Sequence, residues 1–89
     1  MQFPRIHSNG SSSEYLMEQY QEAVERVRHA ISALRSIDVN GRDYYVISDD
    51  AASVAIREHR ARIASLETVV LELTAIWENI DGQTGERKP

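Results

Sequence analysis

Two stretches of the chain carry apolar residues at alternating intervals of three and four. In residues 13–37 the series is Met17, Tyr20, Val24, Val27, Ile31 and Leu34. In residues 51–80 it is Ala52, Ile56, His59, Ile63, Leu66, Val70, Leu73, Trp77 and Ile80, with one histidine among the apolar positions. This is the a/d pattern of a heptad, which keeps one stripe of a helix against a neighbour. It predicts two helices, 13–37 and 51–80, about 37 and about 45 Å long. End chemistry agrees. Ser12 or Ser13 can accept a hydrogen bond from a first-turn N–H. Glu14 and Glu18 fall near the positive end of the first helix dipole, and Arg35 falls near its negative end. Asp49, Asp50 or Ser53 can cap the second helix, and Gly82 is the expected stop.

The fold class is therefore all-α: an antiparallel helical hairpin over 13–80 with a connecting loop at 38–50. An extended N-terminal segment, 1–12, contains Pro4 and Asn9-Gly10, and 81–89 is expected to be a disordered tail. No internal repeat appears at a long fixed period. The loop is long for a helix–helix connection. After the Asn40-Gly41 turn pair it carries the apolar run Tyr44-Tyr45-Val46-Ile47, read as either a short strand or an irregular loop folded onto the bundle end. Phe3–Ile6 is expected beside that end if the chain runs back along the bundle. A tight hairpin places Leu34 opposite Ile56, Ile31 opposite His59, Val27 opposite Ile63, Val24 opposite Leu66, Tyr20 opposite Val70 and Met17 opposite Leu73. Trp77 and Ile80 then overhang the first helix and need cover from the N-terminal segment or a second chain.

A second stripe changes the picture. With Met17 and Ile56 as a positions, the g positions are Leu16, Ala23, Ala30 and Ile37, then Ala55, Arg62, Val69 and Ile76. Seven of these eight are apolar, which is the wider face of a bundle rather than the seam of a two-stranded coil. One hairpin cannot cover both stripes. The expectation is a homodimeric four-helix bundle, self-associating through Leu16, Tyr20, Val69, Ile76, Trp77 and Ile80.

Composition narrows the function. The 89 residues hold 14 acids and 10 Lys+Arg, a net charge of −4, which argues against general nucleic-acid binding. Residues 26–62 hold seven Arg and five acids, so the loop end is mildly positive and the open end acidic. The chain has no cysteine, which removes disulfides, zinc ribbons and a thiol nucleophile together. No apolar run spans a membrane and no signal peptide is evident, so a cytoplasmic chain is expected. The sequence carries no P-loop, no dinucleotide fingerprint and no nucleophile elbow. Glu25 and His29 lie four apart on the outer face, unlike the inward Glu-x-x-His pairs of di-iron bundles. No catalytic residue, metal or cofactor is expected.

Two features retain functional alternatives. His59 on the seam either sets register or acts as a pH-sensitive contact that acid loosens if the ring is buried neutral. Arg42, Tyr44 and Tyr45 either cap the core or form a recognition loop for a protein partner.

Two strings, FPRIHSNGSS and NGRDYYVI, are followed by Glu58-His59. They resemble a group of small uncharacterised bacterial and phage proteins with an I-H-x-N-G-[ST] start, a central N-G-R-D-Y-Y and a following E-H. Ser11 stands where Thr is expected. The resemblance implies a phage or prophage origin and transfers no functional residue. A looser fold-level similarity is to small phage head–tail joining proteins, which place a β-hairpin between two helices. Together these make a virion-assembly or adaptor component the alternative to a self-associating structural module.

Overall fold

The computed structural model describes residues 1–86. It is an all-helical hairpin: α1 (Ser13–Arg35), a 3-10 turn at Gly41–Asp43, and α2 (Ala51–Glu86), with no strand among the described residues. The molecule is a rod of 66 × 20 × 20 Å.

Capping sets the helix starts. Ser12 is extended, and its hydroxyl accepts the Tyr15 N–H at 3.1 Å, satisfying one first-turn donor. At the start of α2 the Asp50 carbonyl accepts from Val54 N–H, while its carboxylate accepts the Ser48 hydroxyl. The first helix ends at Arg35, two residues before the expected Ile37. Ser36 closes it, its N–H reaching back to Ser32 and Ala33 carbonyls and its hydroxyl to Ser32 O.

The second helix does not stop at Ile80. It passes through Gly82 to Glu86, so the expected tail 81–89 is helical as far as that residue, and 87–89 lie outside the described residues. A glycine costs an exposed helix only about 1 kcal/mol relative to alanine, and Gln83 supplies tertiary bonds beyond it.

Pairing of the helices is displaced by about one heptad from the expected register. Arg35 bonds Glu67, Ile31 shares a groove with Glu67 and Val70, and Val24 shares one with Thr74 and Trp77. Ile31 is thus not opposite His59, nor Val24 opposite Leu66. A slide of seven residues preserves every a/d match, so burial at the ends decides it. In the observed register Trp77 and Ile80 do not overhang. Ile80 is fully buried within one chain. The overhang falls instead at the start of α2. There His59 reaches back to the last turn of α1, and Ala52, Ala55 and Ile56 are half-buried.

The N-terminal segment packs at the open end of the hairpin, not at the loop end. Gln83 accepts the Ile6 N–H at 2.9 Å and donates to Pro4 O at 2.9 Å and to Asn79 Oδ1 at 2.8 Å. Among the described residues only Ile6, Val24, Ile31 and Ile80 are buried. The rod exposes 6802 Å², about 1,500 Å² more than a compact chain of this mass.

Candidate functional site

The flanks of the helix pair differ. One carries the e positions: Gln21, Val24, Glu25, Arg28, Thr74 and Trp77 line one groove, and Arg28, Arg35, Glu67 and Leu71 contribute to the next. It is crossed by the 3.2 Å Arg35–Glu67 ion pair. The other flank carries the g positions. Leu16, Gln19, Tyr20, Ala23 and Leu73 line a shallow groove there, and heptad spacing continues this stripe through Ala30 on α1 and through Val69 and Ile76 on α2.

The expected self-association set is thereby divided. Leu16 and Tyr20 share the g-flank groove, and heptad spacing carries the stripe on through Val69 and Ile76. Trp77 opens onto the e flank. Its indole Nε1 is buried and has no hydrogen-bond partner among the described residues, a state that costs about 1–3 kcal/mol. Ile80 is removed from the set because its own chain buries it completely.

The structure chooses between the two readings of the loop. Tyr44–Ile47 is a turn, closed by Ile47 N–H to Tyr44 O at 2.9 Å, and not a strand. Tyr44 is half-buried, but Tyr45, Val46 and Ile47 are 70–75% exposed, so this run does not cap the core. Local bonds hold the segment. Asn40 Oδ1 accepts the backbone N–H and Nε–H of Arg42, whose guanidinium lies 3.6 Å from Asp38. The connection is left as a projecting tip held by these local bonds.

His59 is half-buried and places Nε2 2.7 Å from the Leu34 carbonyl at the end of α1. A carbonyl only accepts, so the ring nitrogen donates. Both the Nε2–H neutral tautomer and the imidazolium provide that donor, and positive charge suits a helix C-terminus. His59 ties the α2 overhang to α1. The heptad pattern marked the residue but not its backbone acceptor.

Gln83 and Ile6 were not legible as a pair. Their bond spans 77 residues in sequence, and neither lies on a predicted seam. Among the described residues no group of three His, Cys, Asp or Glu is placed to hold a metal ion. None of their helices is long and apolar enough to cross a membrane. No protein-family model, curated protein or solved structure matches the chain.

Proposed function

We propose that this chain is a non-catalytic structural and interaction module of the cytoplasm, which completes its core by docking the g flank of one hairpin against that of a second copy. The observation that carries this reading is the uncovered apolar surface. Of the g stripe, Ala30, Ile37 and Val69 are exposed and Leu16, Ala23 and Ile76 are only half-buried in a single chain. The g flank is the favoured face because its groove lacks the ion pair that crosses the e flank, and small Ala23 and Ala30 let helices approach closely.

Paired substitutions test the face. Val69 lies on the g stripe, whereas Leu71 is 71% exposed beside the Arg35–Glu67 pair. Val69→Glu is expected to halve the sedimentation mass while helical circular dichroism is retained. Leu71→Glu is expected to leave the mass unchanged. Equal masses for both variants and the unmodified chain would sink the choice of face.

The loop tip favours a second reading. Three consecutive large apolar side chains at 70–75% exposure form a knob suited to an apolar pocket on a larger protein. On that reading, and with the resemblance to small phage proteins, the module is a virion-assembly or adaptor component. Loss of partner capture by Tyr45→Ser and Ile47→Ser, at unchanged mass and stability, is its distinguishing result.

A further inference from the structure

The two halves of the rod carry opposite net charge, and among the described residues most of that charge is in no ion pair. Outside residues 26–62 the sequence holds nine acids and three basic residues, of which the open half, residues 1–25 and 63–84, holds eight acids and one Arg. Of these acids, Glu22 and Glu67 are the ones in ion pairs among the described residues, bonded to Arg26 and Arg35. The loop half, residues 26–62, holds seven Arg and five acids. There Arg57, Arg60 and Arg62 make no ion pair among the described residues. Arg62 is also the single charged residue in the apolar g series.

We infer that the second copy docks antiparallel, so that the arginine-bearing loop half of each hairpin lies along the acidic open half of the other. This inference rests on the self-association proposed above and adds its orientation. A parallel pair sets the two acidic open halves side by side and the two arginine-bearing loop halves side by side. Like charges across an interface oppose association, whereas complementary patches fix register and speed encounter. The antiparallel pair instead brings Arg62 over the partner's acidic half, where Glu72, at the c position beside the g stripe, makes no ion pair among the described residues. A two-fold axis at mid-rod makes the contact twice, in a closed and self-complementary interface. It also lays each loop tip, Tyr45–Ile47, along the end of the partner where Met1, Phe3 and Tyr15 are exposed.

The absence of cysteine makes the test direct, because one introduced thiol carries one spin label. Ser11 and Ser48 are exposed and lie at the open and loop ends. Ser11→Cys and Ser48→Cys, each nitroxide-labelled, are measured by double electron–electron resonance, alone and as an equimolar mixture. The antiparallel dimer gives label separations approaching the 66 Å rod length in each pure sample. The mixture adds a short separation, about two helix diameters or ~20 Å. Short separations in both pure samples would overturn the orientation and leave self-association standing. Pure samples and mixture without dipolar modulation, together with a monomer mass, would overturn both. Salt gives an independent reading. Charges separated by about 10 Å are screened near 0.1 M, so the antiparallel dimer is expected to dissociate several-fold more readily at 0.5 M than at 0.05 M NaCl. Tighter association at the higher salt would contradict it.

Discussion

Gln83 does more for this small molecule than its polar character suggests. Its amide oxygen takes the Ile6 N–H, and its nitrogen serves both Pro4 O and Asn79 Oδ1. Gln83→Ala is expected to lower the unfolding free energy by about 1–2 kcal/mol in urea denaturation, given the usual worth of such bonds and the carbonyls left behind. Gln83→Glu is expected to be worse at neutral pH, because a carboxylate would face two acceptors. His59 behaves in the same way on a smaller scale. His59→Ala is expected to cost about 1 kcal/mol through loss of the bond to Leu34 O. At Trp77 a different balance applies. Trp77→Phe removes a buried indole N–H that has no partner and retains most of the apolar area. Its stability is expected to stay within about 1 kcal/mol of the parent, against a loss of ~2–3 kcal/mol for Trp77→Ala.

At the scale of elements, the helices were legible because each a/d residue repeats the same information. The 3,4 spacing identifies a helix and its inner stripe without reference to anything distant. Register was not legible, because a slide of one heptad returns apolar residues to apolar positions. What fixes it is the need to bury Trp77 and Ile80 inside the hairpin, which depends on where the N-terminal segment returns. The C-terminal boundary escaped for a related reason. Gly82 is a local stop signal of modest strength, and Gln83, one residue on, anchors a segment nearly eighty residues away. A Cβ at Gly82 would meet nothing within 4 Å. Gly82→Ala is therefore expected to stabilise the fold by about 0.5–1 kcal/mol. A raised melting temperature checks this, and a lowered one would mean that the helix needs its glycine there. The loop was legible in its turn, since Asn40 caps Arg42 as an Asn-Gly pair suggests. It was not legible in its exposure. An apolar run reads as core until the space available beneath it is known, and here α1 ends too early to provide any.

At the scale of the whole molecule, the rod buries too little to be self-contained in its side faces. Four buried residues form a thin core, and a 66 Å rod only 20 Å across presents surface in proportion to its length. The g stripe was visible in the sequence as seven apolar residues in eight. Trp77 and Ile80 lie on the a/d seam, and the structure alone takes them out of the self-association set, because which residues overhang depends on register. Association also stabilises by mass action. The melting temperature is therefore expected to rise with protein concentration for the unmodified chain and to stay flat for Val69→Glu. The central claim is that the g flank is closed by a second copy. Sedimentation equilibrium of the unmodified chain at pH 7.5, over a wide concentration range, tests it most directly. The predicted result is a mass of about 20 kDa, twice that of the chain, falling only at the highest dilution. A mass of 10.1 kDa at every concentration would contradict it and reserve the same flank for a different protein.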